Sequence, residues 1–157
     1  MLNKIISGGQ TGVDRGALDA ALHAGIACGG WCPKGRKAED GEIPARYPLS
    51  EMPGIAYRAR TKQNVVDSDG TMIVFFSQLS GGTRETLLIA RSLAKPVLTL
   101  DCAAKSIEDA AVEAAAFIGL NAIGTLNVAG PRESSYRGST EVARRLVSAV
   151  LERMRSA

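Results

Sequence analysis

Three glycine-rich segments of the chain carry residue types that hold phosphate groups in proteins. They run from Ser7 to Arg15, from Ser80 to Thr86 and from Asn127 to Ser134. Each follows a short apolar run and precedes a helical pattern, so each is predicted to be a turn that opens a helix. Amides at a helix N-terminus favour an anion, and glycine lets a ligand approach the backbone closely. A phosphate site is therefore the first expectation.

The strength of this expectation comes from the set of three turns. The first segment lacks the lysine of a Walker A loop and is not a full G-x-G-x-x-G motif. Glycine-rich turns also occur for tight packing alone. In an open parallel sheet, however, such turns all emerge at the carboxyl ends of the strands, where ligands bind. We therefore expect the three turns to share one edge and to form one binding site.

Basic side chains near the turns are candidates for the rest of an anion site. Guanidinium groups bind phosphate through two parallel hydrogen bonds, and lysine binds it as a point charge. We expect Lys34, Arg36 and Arg60 to complete the site, and Arg132 with Glu133 to line its rim.

Acidic residues in the first turns of the predicted helices leave several roles open. Asp14 and Glu85 could accept hydrogen bonds from a ribose or a base, act as a general acid or base, or cap a helix. With these residues, the predicted ligand-binding set is Gly8, Gly9, Gln10, Thr11, Gly12, Asp14, Arg15, Lys34, Arg36, Arg60, Ser80, Gly81, Gly82, Thr83, Arg132 and Glu133.

The elements that position these residues follow from the apolar pattern, which alternates between short strand-like runs and longer helical runs. This alternation is typical of an α/β fold with a parallel sheet and crossover helices. Strands are predicted over Lys4–Ser7, Ile26–Cys28, Thr71–Phe76, Val97–Leu100 and Thr125–Ala129. Helices are predicted over Asp14–Ala24, Thr61–Val66, Arg84–Leu93, Ser106–Ile118 and around Val142–Met154.

The stretch between Trp31 and Tyr57 shows little periodicity and contains four prolines. A loop this long in a compact domain is often a lid or a binding loop, and a plain surface insertion is the alternative. No linker or repeat divides the chain, so residues 1–157 are expected to form one domain.

Composition narrows the classes of protein. No apolar run approaches the ~20 residues that cross a bilayer. The apolar stretch at the N-terminus is interrupted by glycines too early for a signal peptide, so a cytoplasmic location is expected. The net charge is +3, aromatics make up 4% and the basic residues are scattered, which favours a small anionic ligand over nucleic acid. Three cysteines and one histidine do not match a zinc motif, and no metal held by protein ligands is expected.

The three turns and the segment Gly30–Arg36 together resemble the molybdenum (cofactor) carrier family over nearly the whole chain. That family is similar to a Rossmann-like group that includes the lysine decarboxylase-like (LOG) proteins and DNA-processing protein A. The resemblance implies a Rossmann-like three-layer sandwich, with a mostly parallel sheet and helices on both faces. It also implies a nucleotide or molybdenum-cofactor ligand and a homo-oligomer, a dimer or a tetramer.

A weaker similarity concerns the nucleotide phosphoribohydrolases of the same group, which carry P-G-G-x-G-T-x-x-E after an arginine. Arg60 resembles that arginine, and Gly82-Thr83 resembles the G-T pair. The glutamate position then falls on Thr86, with Glu85 one residue earlier. One residue rotates a side chain by about 100° around a helix, which aims the carboxylate elsewhere.

Three functions follow as expectations. The first is a binding or carrier protein for a phosphate-bearing nucleotide-like or molybdopterin-type cofactor. The second is a nucleoside-monophosphate phosphoribohydrolase, with Glu85 and Arg60 as candidate catalytic residues. The third is a nucleotide sensor that acts through a partner protein.

Overall fold

The computed structural model describes all 157 residues, Met1–Ala157, and contains nine strands and five helices. The strands are β1 (Lys4–Ile6), β2 (Ala27–Gly29), β3 (Trp31–Cys32), β4 (Lys37–Ala38), β5 (Gly41–Glu42), β6 (Ser50–Glu51), β7 (Gly70–Phe75), β8 (Val97–Asp101) and β9 (Thr125–Ala129). The helices are α1 (Val13–Ala24), α2 (Tyr57–Val66), α3 (Gly81–Ser92), α4 (Ile107–Leu120) and α5 (Ser139–Ser156).

Five parallel strands form the central sheet, in the order β2-β1-β9-β7-β8. β9 is the last strand of the chain, yet it lies between β1 and β7, where Ile6 and Thr71 both pair with Asn127. β7 is buried from Gly70 to Val74, as its nearly continuous apolar sequence predicts for a strand covered on both faces. The carboxyl ends of β1, β9 and β7 are therefore neighbours at one edge.

Helices cover both faces of this sheet, which confirms the Rossmann-like sandwich. α5 packs against α1 and α4 on one face, and α2 packs against α3 on the other. The larger core joins small side chains of α1 and α4 to Leu146 and Val150 of α5 and to Met72 of β7. Val65, Ile89 and Ala90 form the smaller core between α2 and α3.

Two helices begin earlier than their sequence pattern predicts. α2 begins at Tyr57 rather than Thr61, and α3 begins at Gly81 rather than Arg84. The first turn of each helix has few apolar residues, and α3 opens with two glycines, so periodicity gives no signal there. Both first turns face the edge at which the three glycine-rich segments emerge, and both supply residues to the site.

The stretch between Trp31 and Tyr57 is folded onto the body of the protein. β3 pairs with β6, and β4 with β5 forms a short hairpin. Ile43 and Tyr47 are buried with Leu18 of α1 in a separate small core. The segment is thus held against the outer side of α1 by its own apolar contacts.

Two predicted helix ends are confirmed. Gly25 closes α1 in the left-handed conformation, with φ 68°. Ser106 caps α4, since its hydroxyl accepts a hydrogen bond from the amide of Asp109 at 3.1 Å. None of the five helices combines the length and the apolar character that crossing a membrane requires.

Candidate ligand-binding cavity

A cavity of about 250 Å³ lies at the carboxyl edge of the sheet, where the turns after β1, β7 and β9 meet the first turn of α2. Only three of its 19 lining residues are hydrophobic, so it suits a polar ligand. It brings together eight members of the predicted ligand-binding set: Gln10, Asp14, Arg60, Ser80, Gly81, Gly82, Thr83 and Arg132.

Several backbone amides of the turn after β1, where a phosphate cradle is predicted, donate to groups of the protein itself. The amide of Val13 at the start of α1 donates to the carbonyl of Pro131 at 3.1 Å, so the turn after β9 closes the N-terminus of this helix. A side chain at Gly12 would lie 2.3 Å from that same carbonyl oxygen. The amides of Gln10 and Thr11 donate to the side chains of Asp14 and Gln10. Tight packing, the alternative reading of a glycine-rich turn, describes this segment.

Gln10 lines the cavity and carries a fixed, buried hydrogen-bond donor. Its side chain is buried, and its Oε1 accepts hydrogen bonds from the amides of Thr11, at 3.1 Å, and Glu39, at 2.9 Å. Because two N–H groups can be accepted only by the oxygen, the amide cannot flip. Its Nε2 is buried and has no partner in the protein. A buried donor without an acceptor is costly, so this nitrogen calls for a ligand or water oxygen.

Asp14 and Arg60 form a buried ion pair in the cavity wall. The Oδ2 of Asp14 lies 3.7 Å from an Nη of Arg60, and their side chains are only 7% and 13% exposed. Burial raises the pKa of the Asp14 carboxyl above its usual range, although Arg60 and the amide of Gln10 act in the opposite direction. The Nε of Arg60 is a second buried donor without a partner.

Gly8 makes room for this ion pair. A Cβ atom at this position would lie 1.8 Å from an Nη of Arg60 and 2.9 Å from the Oδ2 of Asp14. The glycine therefore acts by allowing the guanidinium of Arg60 to cross the turn, and it does not itself line the cavity.

The N-terminus of α3 is uncapped and open at this edge. The first amides of a helix have no acceptor within it, and Ser80 supplies no side-chain cap. Gly81, Gly82 and Thr83 line the cavity, and side chains added at the two glycines would meet only open space. The amides and dipole of α3 are therefore available to an anion, as the sequence predicts for this second turn.

Glu85 and Thr86, which lie at or next to the position of the phosphoribohydrolase glutamate, have different environments. Glu85 lines the cavity, but its carboxylate is ion-paired with Arg58 of α2. Thr86 is buried, and its hydroxyl donates to the carbonyl of Gly82 at 2.9 Å. No carboxylate stands where the phosphoribohydrolase motif has its glutamate.

Tyr57 forms part of the cavity wall that sequence reasoning missed. The guanidinium carbons of Arg132 and Arg60 lie 5.2 Å and 5.9 Å from the centre of its ring. Such distances allow cation–π attraction, which holds both arginines at the cavity. With α2 extended to Tyr57, the helical spacing of Tyr57, Arg60 and Thr61 would have predicted that all three line the same space.

Two members of the predicted set have structural roles near the cavity. The carboxylate of Glu133 accepts hydrogen bonds from the amides of Gly138 and Thr140, which lowers its pKa and caps α5. Arg15 donates two hydrogen bonds to Asp40 in the β4–β5 hairpin and lowers the pKa of that carboxyl. With Thr11, both line a separate shallow groove.

The structure also places Lys34, Arg36 and Gly9 outside the cavity. The guanidinium of Arg36 donates to the carbonyls of Ile43, Pro44, Leu49 and Tyr47 and so holds the long segment together. A Cβ atom at Gly9 would lie 2.3 Å from Leu49 of the same segment. The segment between Trp31 and Tyr57 supports the β1 turn from outside and supplies no lining residue, so it is not a lid on this cavity.

No group of three or more His, Cys, Asp or Glu side chains is arranged to hold a metal ion. Cys32 is buried, whereas Cys28 and Cys102 are half-buried. Burial raises the pKa of the Cys102 thiol to about 11, so this side chain stays protonated at neutral pH.

The chain as a whole is similar to known proteins. Residues 5–151 match the model of the circularly permutated YpsA SLOG family. A crystal structure from Syntrophus aciditrophicus SB, described as a "Putative molybdenum carrier protein", is similar with a TM-score of 0.94 and 45% sequence identity. The match covers 96% of this chain and 95% of that one. No curated protein sequence matches significantly.

Proposed function

The chain belongs to the circularly permutated YpsA SLOG family, and from this premise we propose that it binds and carries a phosphate-bearing, nucleotide-like ligand of the molybdopterin type. Molybdenum is then part of the cargo rather than a resident metal. The 45% identical structure described as a molybdenum carrier supports a carrier role.

One observation carries the phosphate part of the proposal. The uncapped N-terminus of α3 lines a cavity whose wall also contains Arg60 and Arg132. An oxyanion supplies several acceptor oxygens at once and complements a helix N-terminus and guanidinium groups. Arg132, exposed at the mouth, completes the cationic side.

Carrying suits this cavity better than bond cleavage. Both carboxylates in the wall, Asp14 and Glu85, are paired with arginines. Thr86 stands where the related hydrolases have a glutamate, and its hydroxyl is held by the carbonyl of Gly82.

Isothermal titration with GMP tests the phosphate site. The wild-type protein should bind GMP, and Arg132→Gln should raise its Kd about tenfold, because a charge-assisted hydrogen bond contributes about 1.5 kcal/mol or more. Arg91→Gln is the matched control, since Arg91 lies in the last turn of α3, outside the cavity, and its Kd should not change. Equal effects of the two substitutions, or no binding of GMP or inorganic phosphate, would contradict the proposal.

Native mass spectrometry of freshly purified protein tests the identity of the cargo. We expect a bound species with the mass of a phosphorylated pterin, with molybdenum detectable by elemental analysis. The bound species should be depleted in Arg132→Gln and retained in Arg91→Gln.

A further inference from the structure

The two sides of the cavity differ in charge. The N-terminus of α3, after β7, and Arg132, after β9, form a cationic side. Asp14 stands on the side of β1 and carries a negative charge opposed by Arg60. β9 lies between β1 and β7, so the two turns leave the sheet about 10 Å apart, at roughly 4.8 Å per strand spacing.

This polarity decides where an oxyanion binds. Two negative charges a few ångströms apart repel strongly in a partly desolvated site. The phosphate therefore belongs on the α3 side, away from Asp14. The side near Asp14 must receive a group that is neutral and can donate a hydrogen bond.

Gln10 adds the opposite hydrogen-bonding type beside Asp14. Its Nε2 can only donate, because its Oε1 is held by the amides of Thr11 and Glu39. The backbone amide of Gln10 donates a hydrogen bond to the Oδ2 of Asp14 at 3.3 Å, so the two residues lie together in the turn after β1. A carboxylate acceptor and an amide donor thus stand side by side in the cavity wall.

We propose that Asp14 and Gln10 form a specificity subsite for a neutral group that donates one hydrogen bond and accepts another through neighbouring atoms. Two kinds of group in nucleotide-like ligands have this chemistry: a ring edge with a donor beside an acceptor, such as the lactam N–H and C=O of guanine or a pterin, and the vicinal diol of a ribose. This inference rests on the proposed function, since it assumes that a phosphate anchors the ligand at α3.

Four phosphorylated probes distinguish recognition of the ring edge from recognition of the diol. Methyl phosphate has neither group, ribose 5-phosphate has a diol, and 2′,3′-dideoxyguanosine monophosphate has a lactam without a diol. The 2′,3′-dideoxyribonucleotide of unsubstituted purine has a ring of similar size whose edge carries acceptors but no N–H donor. A tenfold preference for the dideoxyguanosine over this purine nucleotide assigns the ring edge, and a tenfold preference for ribose 5-phosphate over methyl phosphate assigns the diol.

The wild-type titrations alone can overturn the inference. If methyl phosphate binds but both preference ratios are near one, there is no such subsite and the proposed phosphate site stands. If none of the four probes binds, the proposed function itself fails.

Substitutions locate the preference within the cavity. Asp14→Asn should lower the preference ratio, because a neutral amide oxygen is a weaker acceptor than a carboxylate, whereas Arg132→Gln should weaken all four probes by a similar factor and leave the ratio unchanged. Asp14→Asn leaves buried Arg60 without its charge partner and lowers stability, so Gln10→Met, which removes the donor without removing a charge, is the second variant. An unchanged ratio in the folded variants would place recognition elsewhere.

Discussion

At the scale of single residues, the glycine-rich turns serve different purposes that their sequence does not distinguish. Gly8 admits the guanidinium of Arg60, whereas Gly12 admits the backbone of the turn after β9. Gly81 and Gly82 face open space beside the cavity. The same residue type thus provides close packing in one turn and ligand access in another.

Gly12→Ala should therefore be much more damaging than a glycine substitution in open space. Gly12 has φ 84°, and its Cβ atom would lie 2.3 Å from the carbonyl oxygen of Pro131. Gly35 is the matched control, with φ 79° and no atom within 4 Å. Urea unfolding should show a loss of about 1 to 2 kcal/mol for Gly35→Ala from backbone conformation, and about 2 kcal/mol more for Gly12→Ala from overpacking. Equal losses would mean that the two turns do not pack as described.

At the scale of elements, the three helices that follow the glycine-rich segments differ in how their N-terminal amides are satisfied. That of α1 is closed by Pro131, that of α5 is capped by Glu133, and that of α3 is uncapped and open. Of the three, α3 is therefore the one whose N-terminus meets neither a side-chain cap nor a neighbouring turn, although all three helices follow glycine-rich segments.

Glu133→Gln tests the cap of α5. The substitution should lower the free energy of unfolding at pH 7 by about 1 kcal/mol, as is typical for loss of a cap. Because the folded pKa of Glu133 is lowered, its contribution is present above the unfolded value near 4.3 and is lost as pH falls through the folded pKa. The difference between wild type and variant should thus shrink between pH 7 and pH 3.

Glu152→Gln is the control for this cap. Glu152 lies near the C-terminal end of α5, is exposed and makes no side-chain ion pair, so its loss should not destabilise the protein at either pH. A pH-independent loss in Glu133→Gln would contradict the assigned role of its carboxylate.

At the scale of the whole molecule, the central sheet has the strand order of a Rossmann sheet, but the chain begins at a different strand. If strands of the central sheet are counted from β9, the order β2-β1-β9-β7-β8 reads 3-2-1-4-5, the order of a Rossmann sheet. The unit β9–α5, which would come first in that order, is attached at the C-terminus. The sheet order thus agrees with the circular permutation in the family's name.

Reversing the permutation should preserve the fold. β1 begins and α5 ends at the same edge, as the hydrogen bond from Arg155 to the carbonyl of Ala24 indicates. A chain that starts at Ala122 and joins Ala157 to Met1 through a Gly/Ser linker of about ten residues, which spans roughly 18 Å, should fold and bind GMP like the wild type. Circular dichroism, urea unfolding and titration provide the measurements.

A second permutant, opened between Gly130 and Pro131, is the control. That cut breaks the turn that closes α1 and lines the cavity. It should lose GMP affinity and stability. If the permutant opened at Ala122 fails in the same way, the unit β9–α5 does not tolerate the proposed reconnection.

The sequence by itself determined the parallel α/β sheet and the edge at which the glycine-rich turns meet, and half of its candidate ligand-binding residues line the cavity there. Local patterns carry these features: apolar β7 requires burial on both faces, and glycine turns follow parallel strands. Only the tertiary structure decided that Pro131 closes α1, that Arg36 holds its own loop and that Glu133 caps α5. These outcomes depend on contacts between segments distant in sequence, and a polar group engaged by such contacts is no longer available to a ligand.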